Sequence, residues 1–312
     1  MDRQNELQLL IASFDLYFDA IKNKNLYRNP NGIQIVKLLI SSYYSIVNPD
    51  YQSIIFDFRK KYVANEVLVE KNNTLEERRG LSAVYDYIQD FDVDKDYFNI
   101  FLCAMIIHEK LYSVLDAQRI DDKKLLEQII QLESEAKREK DVEKYKKAQE
   151  LKKQKADSSK FGGKLRNDGV MMKDFNHEVP SARDACIFIN SFLSEEKVNE
   201  YNKMLNEAGI FEYVDYCVKI IVDLIKNQPF FDGNKRTFRS LLNLMFKKRN
   251  IPPVYINAKE RDEYKSALKE AIENGNYDRI CGFYYYKICD SIYELDIKKR
   301  AINMDDNPPN RN

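Results

Sequence analysis

Asn227-Gln228-Pro229-Phe230-Phe231-Asp232-Gly233-Asn234-Lys235-Arg236-Thr237-Phe238-Arg239 joins two apolar helical segments through one tight polar turn. Upstream, Phe211, Val214, Val218, Ile221 and Ile225 recur at intervals of three and four, the period of a helix with one buried face. Downstream, Phe238, Leu241, Leu242 and Met245 carry a second stripe until Asn250-Ile251-Pro252-Pro253 stops it. Gly233 permits a backbone conformation that a β-carbon resists. Arg236 and Arg239 lie three residues apart, on one face of the second helix. Free N–H groups at a helix start beside two guanidinium groups form an anion site. Asp232 next to such a nest either caps the helix or holds a cation. A magnesium ion carried by phosphates suits it, because magnesium takes one or two carboxylates and completes its shell with phosphate oxygens and water.

The same helical period runs outward from this stretch. Glycine and proline are scarce, and no proline lies between Pro49 and Pro180, so an all-α fold is expected. Residues 4–22 carry Leu7, Leu10, Ile11, Phe14, Tyr17, Phe18 and Ile21 as one stripe, broken at Asn29-Pro30-Asn31-Gly32. Further helices are expected around Val36–Val47, 63–80, 81–90, 97–116, 183–209 and 259–290. Residues 121–157 are dense in Lys, Glu, Asp and Gln around a thin apolar seam, which fits a long salt-laced helix or helical hairpin. Composition changes at Asp157-Ser158-Ser159-Lys160-Phe161-Gly162-Gly163, and residues 162–182 are the best candidate for β-structure. Residues 301–312 are polar and read as a disordered tail. His108, alone in an apolar helix, reads as structural.

Composition narrows the function. The chain has 312 residues with 50 basic and 50 acidic side chains, so no bulk electrostatic attraction to nucleic acid or membrane is expected. Five scattered cysteines without a Cys-x-x-Cys pair speak against a disulfide framework or a structural zinc site and for a reducing, cytoplasmic location. The first residues lack a signal-peptide core, and no run approaches the ~18 apolar residues of a membrane span.

The thirteen residues also resemble the signature of the Fic/Doc (Fido) family, His-x-Phe-x-[Asp/Glu]-[Gly/Ala]-Asn-[Gly/Lys]-Arg, often extended by x-x-Arg. Phe230, Asp232, Gly233, Asn234, Lys235, Arg236 and Arg239 fall in register; Gln228 stands where the family carries its catalytic histidine. The resemblance implies a Fido-type helical core with a small β-hairpin flap, extra N-terminal helices and a long charged helical insertion. The implied layout is an N-terminal helical region over 1–60, the N-terminal part of the Fido domain over 61–120 and the charged insertion over 121–158. The core with flap and motif covers 159–292, and a C-terminal tail covers 293–312.

By the same resemblance the loop binds ATP with Mg2+ on Asp232 and passes AMP, or a phosphoryl group, to a protein hydroxyl. Gly233 and Lys235 belong to the nucleotide site, Asn234 contacts the α-phosphate, Arg236 takes the β-phosphate and Arg239 the γ-phosphate. Lys235 resembles the phosphorylating Doc branch and Arg239 the AMP-transferring branch. A weaker resemblance concerns the family's inhibitory helix, [Ser/Thr]-x-x-x-Glu-[Gly/Asn]. Glu70 with Asn72, Asn73, Thr74 and Leu75 is similar to that passage, although Glu66 stands at the Ser/Thr position and Lys71 follows the glutamate. This implies a pairing of Glu70 with Arg239. Residues 162–182 resemble the flap that holds a target segment by strand addition, with Lys164, Leu165, Val170 and His177 as its target-binding candidates. A protein substrate and an antitoxin or regulatory partner are the implied partners.

Gln228 can orient a hydroxyl but cannot accept its proton at neutral pH. Three readings follow: a transferase that uses another base, a nucleotide-binding pseudoenzyme acting as a regulator or interaction module, and an all-α interaction protein whose pocket binds nothing.

Overall fold

The computed structural model describes residues 3–24, 28–47, 49, 51–70, 74–119, 122–139, 141–148, 162–172 and 174–306. These form helices α1 (Arg3–Lys24), α2 (Pro30–Ile46), α3 (Tyr51–Val69), α4 (Leu75–Asp90), α5 (Ile100–Arg119) and α6 (Asp122–Glu139), then a short α7 over 142–148. After them come α8 (Ala182–Asn190), α9 (Glu195–Glu207), α10 (Ile210–Asn227), α11 (Asn234–Lys247), α12 (Arg261–Asn274), α13 (Asp278–Ile292) and α14 (Lys298–Asp306). No strand occurs among the described residues. No helix among them is long and apolar enough to cross a membrane.

Helix starts coincide with residues that can cap them. Asn29 accepts the Gly32 N–H at 2.8 Å with Pro30 in the first turn of α2, and Thr74 accepts the Glu77 N–H at 3.2 Å at the start of α4. Ser181 and Ser194 do the same for α8 and α9.

The core is centred on α11, in which every residue except Lys235 is buried. It packs against α10, α5 and α4, while α13 joins α10 to α12 and to the α1–α2 hairpin. Lys247 at the end of α11 donates to the carbonyls of Ile88, Gln89 and Phe91 at 3.0, 2.8 and 2.6 Å, closing the end of α4. A cation there is favoured by the unsatisfied carbonyls of a helix C-terminus. At the other end of α11, Arg236 pairs with Glu77 in the first turn of α4. The two helices therefore run in the same direction, tied at both ends.

Three expectations change. In α1, Leu10, Phe14 and Phe18 are buried, but Tyr17 is largely exposed; it lies at the edge of the stripe. Residues 293–306 do not form a tail. A π-turn over Tyr293–Ile297 leads into α14, with Leu295 and Ile297 buried and Asp296 accepting from Tyr43 and Arg300 at 2.8 Å each. Residues 307–312 lie outside the described residues. Residues 162–172 and 174–181 form no hairpin, because their polar groups turn to other partners: the Arg166 N–H to the Pro229 carbonyl and the Asn176 N–H to Glu273. Of the charged insertion, α6 and α7 are helical as expected and Lys144 bridges Glu135 and Glu139; residues 149–158 lie outside the described residues. All five cysteines are free thiols.

Helices α4 and α5 are in close contact at Gly80, where a β-carbon would stand 2.1 Å from the Leu111 carbonyl oxygen. Backbone cannot yield there as a side chain could. Gly80→Ala is expected to lower unfolding free energy by ~1–3 kcal/mol in urea denaturation; an unchanged midpoint contradicts this packing.

Candidate active site in the α10–α11 turn

Two left-handed residues shape the turn between α10 and α11. Gln228 ends α10 with φ 45° and ψ 57°, and Gly233 starts α11 with φ 74°. A β-carbon on Gly233 would come within 2.9 Å of the Tyr112 ring and 3.0 Å of its hydroxyl oxygen, so both conformation and space call for glycine.

Gln228 is held in this unusual conformation from two sides. Its Nε2 donates to the Ile225 carbonyl at 2.6 Å and its Oε1 accepts from Asn234 Nδ2 at 3.1 Å. The Gln228 carbonyl accepts from Arg166 Nε at 2.6 Å, and the Arg166 N–H donates to the Pro229 carbonyl at 3.0 Å. Arg166 also donates to the carbonyls of Asp168 and Pro180. This buried guanidinium thus fastens residues 162–182 to the turn using carbonyl groups; burial lowers its pKa.

Asn234 completes the turn. Its Oδ1 accepts the Phe230 N–H at 2.9 Å, and its Nδ2 donates to the Phe230 carbonyl at 2.8 Å as well as to Gln228. Where the resemblance implies a phosphate contact, the side chain is engaged within the loop. His108 supports the loop from α5. Its Nδ1 accepts the Gly163 N–H at 3.1 Å, which assigns the ring proton to Nε2, and Nε2 donates to the Asp232 carbonyl at 3.0 Å. The ring stacks on Phe230 with centroids 3.9 Å apart.

A cavity of about 290 Å³ opens over the turn, lined by Gln228, Asp232, Gly233, Asn234, Lys235, Arg236 and Glu70, with Val170, Met171 and Met172 opposite. Of the four flap candidates only Val170 reaches it. Lys164 is exposed, Leu165 packs on the core, and His177 is half-buried with its Nε2 lacking a hydrogen-bond partner among the described residues.

The cations around the turn differ in what is left to them. Arg236 pairs with Glu77, stands 3.6 Å from Asp232 Oδ2 and donates to the Tyr112 hydroxyl at 3.4 Å. Burial works against its charge, but Tyr112, Glu77 and Asp232 together raise its pKa above the usual value. Arg239 Nε lies 3.1 and 3.0 Å from the two Glu66 oxygens, and its Nη2 donates to Glu66 and, at 2.8 Å, to Glu70. Lys235 has no ion pair or hydrogen bond among the described residues and sits 5.3 Å over the Phe175 ring. Burial lowers its pKa, only partly countered by Glu70.

Asp232 is 70% exposed and accepts the Tyr112 hydroxyl at 2.8 Å. Among the described residues no group of three or more His, Cys, Asp or Glu could hold a metal. A divalent ion here would therefore rely on Asp232 and the ligand's phosphates, which is how magnesium usually binds. With the Gly233 cradle, the first-turn N–H groups of α11 and the unpaired Lys235, the residues present fit a phosphate-bearing ligand with such an ion.

Glu66, Glu77, Tyr112 and Arg166 went unrecognised in the sequence reading. The one signal was the spacing of Glu66 four residues before Glu70, which sets both carboxylates on one helix face.

Known proteins resemble this chain in sequence and in fold. "Protein adenylyltransferase Fic" of Aedes aegypti is 32% identical over 112 residues, 36% of this chain and 21% of the relative. The protein of the same name from Nematostella vectensis is 28% identical over 111 residues, 35% of this chain and 23% of its own length. The chain is thus similar in sequence to proteins named Fic. It spans about a fifth of the length of these curated Fic relatives. Among solved structures, a fragment of Fic-1 from C. elegans covers 89% of this chain and 72% of its own at TM-score 0.51 and 15% identity. A variant of that fragment gives TM-score 0.54 at 14% identity, covering 97% and 82%; both establish the all-α Fic fold. No family model matches the chain.

The Glu70 pair has a pH signature. Burial pushes the Glu70 carboxyl up, but Arg239, Lys235 and Arg236 outweigh it and hold its pKa below the ordinary 4.5. A depressed carboxylate stabilises the fold above its unfolded pKa, and that contribution is lost as pH falls through the folded value. In urea denaturation, wild type is expected to exceed Glu70→Gln in stability at pH 7, with the gap closing below pH 4.5. A gap independent of pH contradicts the pairing.

Proposed function

We propose that the turn binds a nucleoside phosphate with a divalent ion, and that the chain has the AMP-transferring activity of its relatives in a suppressed form. The observation that carries this reading is the unpaired Lys235 ammonium beside the α11 N-terminus, over a cavity that also exposes Asp232. The name shared by the curated relatives, protein adenylyltransferase, supports the reaction class.

In that reaction a protein hydroxyl oxygen bonds to the α-phosphorus of ATP, the bond to the β-phosphate bridging oxygen breaks, and pyrophosphate leaves. Asp232 would hold a divalent ion, which would supply charge neutralisation at the phosphate oxygens. Lys235, Arg236 and the helix-start N–H groups hold the phosphates and stabilise the charge that develops, the largest contribution such a site makes. The hydroxyl proton is the difficulty. An amide does not accept it at neutral pH, and both polar atoms of the Gln228 side chain are already engaged with Ile225 and Asn234. Loss of a positioned base costs ~10²–10⁴ in rate. That engagement favours a second reading, a nucleotide-binding pseudoenzyme that regulates or docks a partner protein.

Calorimetric titration with magnesium adenine nucleotides tests the shared part. Magnesium-dependent heat is expected, with affinity falling about tenfold, ~1.4 kcal/mol, in Lys235→Met; no heat with any nucleotide rejects the site. Transfer is tested with base-labelled ATP and a cell lysate, in a background where Glu66→Gln and Glu70→Gly free Arg239. Adding Gln228→His is expected to raise protein labelling by ~10² or more. Equal labelling with and without the histidine contradicts the missing-base account.

A further inference from the structure

Helix α5 reaches Asp232 twice. His108 Nε2 donates to its carbonyl at 3.0 Å, and the Tyr112 hydroxyl donates to its carboxylate Oδ2 at 2.8 Å. The two side chains are four residues apart and so project from one face of the helix, with ring centroids 4.9 Å apart. One helix therefore holds both the backbone and the side chain of Asp232.

Tyr112 has little freedom to let go. It is 5% exposed, its ring closes over Gly233, and its oxygen accepts from Arg236 Nη2 at 3.4 Å. A hydroxyl that accepts from a guanidinium sends its own hydrogen to the other neighbour, here the carboxylate. Arg236, itself fixed by Glu77, also stands 3.6 Å from the same Oδ2. Oδ2 is thus engaged by two buried groups. Oδ1 has no hydrogen bond or ion pair among the described residues, on a side chain that lines the cavity. The two oxygens of one exposed carboxylate have been given different tasks.

We propose that Tyr112 is a positioning residue for this carboxylate: by holding Oδ2 it leaves Oδ1 as the single oxygen that Asp232 offers to a divalent ion on the nucleotide. The proposal rests on the nucleotide reading above. The motif contains Asp232, but Tyr112 lies 120 residues away on another helix. Magnesium accepts one carboxylate oxygen beside phosphate oxygens and water, and a hydrogen bond that orients such a ligand contributes about tenfold or more to metal affinity. Without the hydroxyl, an exposed aspartate has to be ordered by the ion itself, at a cost in side-chain entropy.

Calorimetry with ADP on the full chain, in magnesium and in EDTA, tests this in wild type, Tyr112→Phe and Asp232→Asn. The ratio of the two Kd values is the magnesium effect, expected at about tenfold or more in wild type. It should fall below about threefold in both variants, with ADP affinity in EDTA unchanged within about twofold in Tyr112→Phe. Phenylalanine keeps the ring over Gly233; should thermal melts show that it does not fold, Tyr112→Met removes the same hydroxyl and is expected to give the same ratio. A tyrosine that only packs behaves otherwise: its loss leaves the ratio at the wild-type value, whether or not ADP weakens. That result, or a wild-type ratio near one, overturns the proposal and leaves the nucleotide site standing. Binding of ADP to no form of the chain overturns both.

Discussion

A buried guanidinium must be paired, and the structure depends on how Arg239 meets that requirement. Desolvating an isolated charge costs many kcal/mol, and removing one partner from a buried pair is strongly destabilising. Arg239 meets the requirement with Glu66 and Glu70, and one turn earlier Arg236 does so with Glu77. These pairs join α11 to α3 and α4, and Lys247 repeats the tie at the far end of α11. The same contacts that fix the central helix therefore also set the electrostatics of the loop that begins it. Arg239 is turned wholly toward the protein, Arg236 lines the cavity while paired with Glu77, and Lys235 faces the cavity without an ion pair among the described residues.

The turn itself is organised by a second network that needs no charge pair. Asn234 and Gln228 bond each other, Asn234 bonds the Phe230 backbone and Gln228 the Ile225 carbonyl, Arg166 bonds the carbonyl of the left-handed Gln228, and His108 bonds the carbonyl of Asp232. A loop held at this many points is preorganised, which is what a site acting by positioning requires. It also ties up the atoms of Gln228 that would approach an incoming hydroxyl. The geometry of the turn is thus maintained in part by the Gln228 side chain itself.

Much of this was legible in the sequence. The apolar period placed α10 and α11, Gly233 marked the turn, and the motif residues from Gln228 to Arg236 do converge on one cavity. The partners of the arginines were not legible. Glu77 lies 159 residues from Arg236 and Glu66 lies 173 from Arg239, and nothing local distinguishes a glutamate that will be buried against arginine from one on a solvated face. The flap was misread for a related reason. Its composition suggested strands, but its N–H and carbonyl groups are claimed by Arg166, the turn and α12, which no periodicity records. The C-terminal segment looked polar because α14 is polar; the apolar contacts lie in the π-turn before it, at Leu295 and Ile297.

The account stands on the bond between Glu66 and Arg239. A double-mutant cycle in urea, using Glu66→Gln, Arg239→Met and the pair, measures it most directly. The account predicts a favourable coupling energy of about 2 kcal/mol or more at pH 7. A coupling near zero, with the two single losses simply adding, would contradict it.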